Sequence, residues 1–231
     1  MKNCTYPCTR TIPIFQSLSH EELVKIAANV THKQFKKGEI LVYEGEKLDT
    51  LFIIRKGRIK LLKNTLQGKE QILNILTNGD FFGELNIFNM DAVANFSAYA
   101  MENIEICLLE QNKMNQIILE NPSISLKLLK TVTERLVHTE NLVQNLATKN
   151  PEIRIVNMIL EFSEKYGTKT NEGIVILLPL NREEMANYIG VTRETITRKL
   201  KMLKELGLIE TVGNKTLIVK DKLMLSAYLS K

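Results

Sequence analysis

Arg193, Glu194, Thr197, Arg198 and Lys201 lie within nine residues of one another, at spacings that bring them to one side of a helix. These are residue types that read DNA. Arginine donates two parallel hydrogen bonds to guanine O6 and N7, glutamate accepts from the cytosine amino group, and hydroxyls and lysines reach phosphate. Residues 193–204 hold five cations, Arg193, Arg198, Lys199, Lys201 and Lys204, against the single acid Glu194. A carboxylate amid this positive charge weakens plain attraction to phosphate, so its presence points to base reading. The solvated face of an ordinary amphipathic helix carries a similar charge run, and only the surrounding residues separate the two readings.

Those surroundings have the pattern of a helix-turn-helix. Asn181 and Thr192 are each an N-terminal cap type, standing before "REEMANYI" and "RETITRKLKMLKE". Gly190 breaks the first helix, and Ala186, Gly190 and Ile196 stand at offsets of four and ten residues. A small residue at 186 lets two helices cross closely, glycine allows the turn, and Ile196 locks the second helix onto the first. Burying Ile196, Leu200 and Leu203 turns Arg193, Glu194, Thr197, Arg198 and Lys201 outward, at the end of a recognition helix over 193–205 that enters the major groove. After Gly207, "LIETVGNKTLIVKD" predicts a two-stranded wing turning at Gly213-Asn214, with Lys215 near its tip as a phosphate contact.

The remaining chemistry lies in the cysteines. Cys4, Cys8 and Cys107 are an odd number of thiols, which argues against a structural disulfide framework and leaves redox, metal-binding and inert core roles open. His20, His32 and His138 are scattered and have no ligand spacing. No P-loop, GxSxG, HExxH or supported acid pair is present, so the chain is not expected to be an enzyme. A net charge of +5 at pH 7 suits a nucleic-acid partner without requiring one. The N-terminal "MKNCTYPCTRTIP" has no apolar core of a signal peptide, and every hydrophobic run is too short to cross a bilayer, so a cytoplasmic chain with no membrane partner is expected.

Three regions position these groups. Residues 12–30 have helical spacing, with Ser19 ahead of Glu21 and Glu22. From Gln34 to about Gln111, short apolar runs alternate with Gly38, Gly45, Gly57, Gly68, Gly79 and Gly83, the texture of a small barrel or sandwich. Lys56-Gly57 reads as a hairpin turn between "LFIIR" and "RIKLL". Between Pro122 and Pro151 a long helix carries Leu129, Val132, Leu136, Thr139, Val143 and Leu146 at alternating steps of three and four. This narrow seam with polar flanks favours pairing with a second copy of the chain over packing on its own domain. The expected division is 1–117, a sensory or effector domain; 118–149, a dimerisation helix; and 150–231, the DNA-binding unit.

Taken together, "FKKGEILVYEGE", "LFIIRKGRIKLL", "GDFFGEL", the long helix and "LNREEMANYIGVTRETITRKLKMLKELGLI" resemble a transcription regulator of the CRP/FNR family, from about Ile14 to Val219. The resemblance implies an α+β chain: an N-terminal β-roll of the cyclic-nucleotide-binding, jelly-roll type, a dimerisation helix and a C-terminal winged helix-turn-helix. It also implies a homodimer on palindromic double-stranded DNA in contact with RNA polymerase. The family's reading pattern falls on Arg193, Glu194 and Arg198. Arg193 stands where the FNR branch has an aliphatic residue, which implies a TGTGA-like half-site.

The resemblance also bears on the signal. Cyclic-AMP binders follow a Gly-Glu-Leu stretch with an Arg-Ser pair that holds the phosphate. Here Gly83-Glu84-Leu85 is present, but Ala94 and Asn95 occupy the pair's places, and Glu140 follows Thr139 where a serine is usual. A methyl group cannot replace a guanidinium in holding a buried anion, so cyclic AMP is disfavoured. Glu84 is then expected to be a structural carboxylate bonded to nearby backbone. The FNR resemblance implies an iron–sulfur cluster, for which Cys4, Cys8 and Cys107 fall one cysteine short of four. Resemblance to the FNR-like (Flp-type) proteins of Gram-positive bacteria implies a reversible disulfide of Cys4 or Cys8 with Cys107. The effector is left open between these, a small molecule in the roll and no redox role. A ligand-binding or scaffolding protein without DNA binding is the rival class, and it leaves Arg193, Glu194 and Arg198 without a purpose.

Overall fold

The computed structural model describes residues 15, 18–66, 68–84 and 93–230. Contacts divide the chain into two units, Met1–Leu136 and Val137–Lys231. No helix among the described residues is long and apolar enough to cross a membrane.

The first unit opens with α1, His20–Ala28. The Ser19 side chain accepts from the Glu22 N–H while the Glu22 carboxylate accepts from the Ser19 N–H at 2.6 Å, a reciprocal cap that starts the helix. Eight strands follow: β1 Thr31–Phe35, β2 Ile40–Val42, β3 Thr50–Lys56, β4 Ile59–Asn64, β5 Glu70–Leu76, β6 Phe81–Phe82, β7 Ser97–Ala100 and β8 Ile104–Glu110. They form two four-stranded antiparallel sheets ordered β1-β8-β3-β6 and β2-β7-β4-β5. Then come α2, Gln111–Glu120, and the long α3, Pro122–Ala147.

Alternation along β3 shows how this sequence makes two cores from one sheet. Phe52 and Ile54 point into the roll with Ile59, Leu61, Phe82, Ala98 and Ile106. Leu51 and Ile53 point the other way, into a cluster with Ile26 of α1, Met114 of α2 and Leu128 of α3. A strand buried on both faces reads as a continuous apolar run, which is why "LFII" shows no polar alternation. The Phe52 and Phe82 rings stack at 4.6 Å and Phe96 meets Phe82 edge-on, filling the roll with aromatic volume.

One turn differs from its expectation. Lys56-Gly57 is not the turn of a hairpin: β3 pairs with β8 and β6, whereas β4 pairs with β5 and β7 in the other sheet. The chain crosses between sheets at Gly57, whose φ of 96° and close approach to Ile104, 2.6 Å from where a Cβ would lie, leave room for no other residue type. Local turn chemistry identified the turn but not the strands on either side as partners.

The second unit holds α4, Pro151–Lys165; the hairpin β9 Gly167–Thr170 and β10 Gly173–Leu177; α5, Arg182–Ile189; α6, Arg193–Glu205; β11 Ile209–Val212 and β12 Thr216–Val219; and α7, Lys222–Ala227. Its sheet runs β11-β12-β10-β9, so the wing strands are continued by the hairpin that precedes the two short helices. The protein is thus an α+β chain with a β-roll, a long helix and a winged helix-turn-helix.

Candidate nucleic-acid interface

The two short helices are set by their ends. Asn181 caps α5: its Oδ1 accepts from the Glu184 N–H at 3.0 Å, and Glu184 accepts from the Asn181 N–H at 3.1 Å. Gly190 ends the helix in the left-handed region at φ 67°, which lets the Val191 N–H fold back to the Ala186 carbonyl at 3.0 Å. Two residues later Thr192 caps α6, accepting from the Thr195 N–H at 3.3 Å. Met185, Ala186, Ile189, Ile196, Leu200 and Leu203 are all buried, so the apolar faces of α5 and α6 are sealed.

With those faces inward, Thr192, Arg193, Glu194, Thr197, Arg198 and Lys201 are all exposed. A hydrogen bond to its own backbone N–H, another to the Thr192 side chain and the charge of Arg193 hold the Glu194 carboxyl below the usual carboxylate range. It is therefore ionised near neutral pH and serves as an acceptor. Thr197 spends its hydroxyl hydrogen on the Arg193 carbonyl at 2.9 Å, leaving the oxygen's lone pairs and the methyl outward. At the wing, Val212 pairs with Thr216 across a loop in which Gly213 has φ 59°, and Lys215 in that loop is exposed. The surface is cationic, has one fixed acceptor, and is carried on a helix capped at its N-terminal end by Thr192.

Two positioning interactions have no local signal in the sequence. Arg154 of α4 donates to the carbonyls of Thr148, Ile189 and Gly190 at 2.7, 3.1 and 3.0 Å, capping the C-terminal end of α5 at the turn. Tyr188 on α5 donates to Glu161 at 2.7 Å, and His138 Nε2 lies 3.2 Å from the same carboxylate and 3.1 Å from the tyrosine oxygen. Burial, reinforced by the Glu161 charge, pushes the Tyr188 hydroxyl far above its ordinary value, so it stays a donor.

In the first unit, Glu84 is buried, and its partner is not chiefly local backbone, as the sequence suggests, but Arg135 of α3 at 2.5 Å. Arg135 also donates to the Phe81 carbonyl and lies over the Phe81 ring at 5.0 Å. The second Glu84 oxygen is buried without a hydrogen-bond partner among the described residues. Ala94 is buried, its N–H and carbonyl bonded to the Glu46 carbonyl and the Gly45 N–H at 2.8 and 2.7 Å, and Asn95 is exposed. Cys107 is fully buried in β8 opposite His32 of β1, its sulfur 3.5 Å from His32 Nδ1. Cys4, Cys8 and Leu85 lie outside the described residues, and among the described residues no group of three potential metal ligands occurs.

Comparison with known proteins agrees with this geometry. Residues 32–121 match the cyclic nucleotide-binding domain family and residues 153–228 the Crp-like helix-turn-helix domain family. The cAMP-activated global transcriptional regulator CRP of Salmonella typhimurium is 34% identical over 180 residues, covering 78% of this chain and 84% of that one. The chain belongs to the CRP/FNR family of transcription regulators. Another CRP/FNR relative, named "Probable transcriptional regulator flp", from Lacticaseibacillus casei, is 28% identical over 93% of this chain and 94% of its own length. The structure of a CooA mutant from Carboxydothermus hydrogenoformans has the same fold, with a TM-score of 0.81, 24% identity and 95% of each chain covered.

The family's cyclic-nucleotide ligand can be tested against the residues present. A cyclic phosphate needs a cation, but position 94 offers a buried methyl and Arg135 is already committed to Glu84 and Phe81. With no cation at position 94, Arg135 already paired and a Glu84 oxygen unpartnered beside it, the described residues do not fit a cyclic phosphate held in the Arg-Ser manner.

Proposed function

We propose that the protein is a homodimeric, sequence-specific DNA-binding transcription regulator. α6 lies in the major groove, where Arg193, Glu194 and Arg198 read bases and Thr192 and Thr197 support them, while Lys201 and, on the wing, Lys215 reach phosphate. One observation carries this reading: every one of these side chains is exposed on or beside a capped helix whose opposite face is sealed in the core. The resemblance to CRP-type readers, with an arginine at 193, implies a TGTGA-like half-site.

Dimerisation through α3 is supported by its uncovered seam. Leu129, Leu136 and Val143 are 62%, 58% and 61% exposed, and Thr139 between them is exposed too, while Ile124 and Leu128 are buried within the first unit and Leu142 within the second. Three large aliphatic side chains left in water at heptad spacing favour a second helix against them. Val132 and Leu146 are half-buried and complete the stripe. In this reading residues 1–117 are sensory, 118–149 join the two copies, and 150–231 bind DNA, with RNA polymerase as the protein partner of the assembly on DNA.

The signal is taken by the roll, and it is not cyclic AMP bound through residues 94 and 95. The redox alternative pairs Cys4 or Cys8 with Cys107. The complete burial of Cys107 weighs against a thiol that exchanges freely in the folded chain.

Selection from random duplexes followed by binding titrations over a salt series tests the whole reading. The expected result is an enriched inverted repeat bound with a steep salt slope. A chain that stays monomeric and shows no preference among duplexes at any ionic strength overturns it.

A further inference from the structure

Lys199 lies in the middle of the basic run yet is placed unlike its neighbours. Arg193, Arg198 and Lys201 are exposed, whereas the Lys199 side chain is 24% exposed and that of Glu152 only 16%. The Lys199 ammonium donates to one Glu152 oxygen and the Tyr228 hydroxyl donates to the other. Glu152 is itself held in place. It follows Pro151 in the first turn of α4, where a carboxylate is favoured by the helix dipole, and its N–H is bonded to Asn150 Oδ1 at 2.9 Å. One carboxylate thus gathers the start of α4, the middle of α6 and the turn that follows α7.

The position of Lys199 gives this cluster its meaning. Ile196, Leu200 and Leu203 decide which face of α6 turns inward, but apolar burial is not directional and leaves the finer roll of the helix loosely set. Lys199 stands on the border between the inner face and the outward row, where a directional, charge-assisted bond acts as a stop against rotation.

We infer that the Glu152–Lys199–Tyr228 cluster is a positioning device that fixes the roll of α6 and so aims Arg193, Glu194 and Arg198 at base edges; Lys199 is a brace and not a phosphate contact. The inference rests on α6 being the base-reading helix. It also lowers the positive charge offered to DNA below the count in the sequence, because Glu152 neutralises Lys199 within the protein.

The test uses the full chain and the duplex recovered by selection, beside a scrambled duplex of the same length. K199M, E152Q and Y228F are compared with K201M, whose side chain is 78% exposed. Affinities for both duplexes are measured over a salt series, at a temperature where circular dichroism shows each variant folded. K199M and E152Q lower the selected-to-scrambled ratio by roughly tenfold, within the range of losing one base pair's discrimination, and K199M leaves the salt slope unchanged. Y228F lowers the ratio by a smaller factor. K201M lowers the slope by about 0.9 and leaves the ratio unchanged. A K199M slope reduced like that of K201M, or ratios unchanged in both K199M and E152Q, overturns the inference. Should K199M not fold, E152Q and Y228F, which keep the parent shapes, decide by the same readouts. A parent chain with neither preference nor salt slope instead sinks the base-reading role of α6 and this inference with it, a result distinct from failure in the variants alone.

Discussion

Glu84, after β6, and Arg135, on α3, meet at 2.5 Å across 51 residues of chain. Their side chains are only 9% and 20% exposed, so the pair is held away from bulk water. A buried ion pair adds little over an apolar replacement, but removing one member strands the other. Arg135→Met is therefore expected to cost about 3 kcal/mol in urea unfolding, because it leaves the buried Glu84 carboxyl without its partner. The double variant Glu84→Gln with Arg135→Met recovers most of that loss. Equal losses in the single and double variants would show that packing on the Phe81 ring, and not charge, is what Arg135 provides.

At the proposed DNA-reading surface the two kinds of contact are separable. Arg198→Ala is expected to cost about 1–3 kcal/mol on the selected duplex and to relax the preference at one position of each half-site. Lys215→Ala weakens all duplexes alike and lowers the salt slope by about 0.9. Titration of the two variants on matched and scrambled duplexes checks this, and the opposite assignment of effects would move Lys215 into base reading.

Glu194 adds a dependence on pH. Its carboxyl is held below the usual range by its own backbone N–H, Thr192 and Arg193, so the ionised form is favoured in the folded chain. A carboxyl with a depressed folded value stabilises the fold above its unfolded value, and loses that effect as pH falls through the folded one. Base preference at the position read by Glu194 is thus constant from pH 8 to about pH 5 and fades only below the ordinary carboxylate range. Glu194→Gln removes that preference at every pH. A preference in the parent that is already lost between pH 7 and pH 6 would contradict the assignment, since no carboxyl held low titrates there.

The turn between α5 and α6 is legible in the sequence because its determinants are local. Asn181, Glu184, Gly190 and Thr192 act within four residues of what they cap, and Ile196 and Leu200 repeat with the helical period. The outward placement of Arg193, Glu194 and Arg198 follows directly. Partners far apart in sequence are not legible in that way. Lys199 reads as one more cation until Glu152, 47 residues upstream, is brought beside it. Arg135 carries no signal of its own until Glu84, 51 residues upstream, is brought beside it. The Gly57 turn shows the same limit for strands, since a glycine at positive φ marks a change of direction without naming the sheet that the chain enters next.

The caps themselves predict stability. Asn181→Ala removes the acceptor for the Glu184 N–H and is expected to cost about 1 kcal/mol. Gly190→Ala forces a Cβ into the left-handed region at φ 67° and costs about 1–2 kcal/mol. Both are read by urea denaturation, and a neutral Gly190→Ala would mean that the turn relaxes to another conformation.

Val143 and Leu136 test the seam. Each is more than half exposed in the protomer, so a charge at either site costs the isolated chain little, whereas between two helices it is buried without a partner. Leu136→Asp and Val143→Asp are expected to shift sedimentation from dimer to monomer and to lower affinity for the inverted repeat by at least the loss of the second half-site. Affinity for a single half-site stays within a few-fold of the parent, which separates a broken dimer from a broken reader. Dimers that persist in both variants would remove α3 from the interface.

Cys107 decides between a switch and a core residue. It is fully buried between Ile106 and Leu108 with the His32 imidazole at 3.5 Å, and burial together with the Arg55 charge lowers the proton affinity of His32 from its ordinary 6.5. Because that folded value is depressed, the neutral ring is the folded form, and the stability it contributes is full above pH 6.5 and declines as pH falls from there through the folded value. A thiol in this setting reacts only when the strands part, so in reduced protein Cys107 is expected to be alkylated orders of magnitude more slowly than an unfolded control at the same pH, and the ratio of the two rates rises as pH drops below 6.5, the control absorbing the loss of thiolate. Mass analysis of the Cys107 peptide over time gives the rate. Labelling as fast as the unfolded control at pH 7.5, or a Cys4–Cys107 or Cys8–Cys107 bridge formed by mild oxidant without loss of the folded signal, would make Cys107 an accessible redox group and favour the disulfide as the signal.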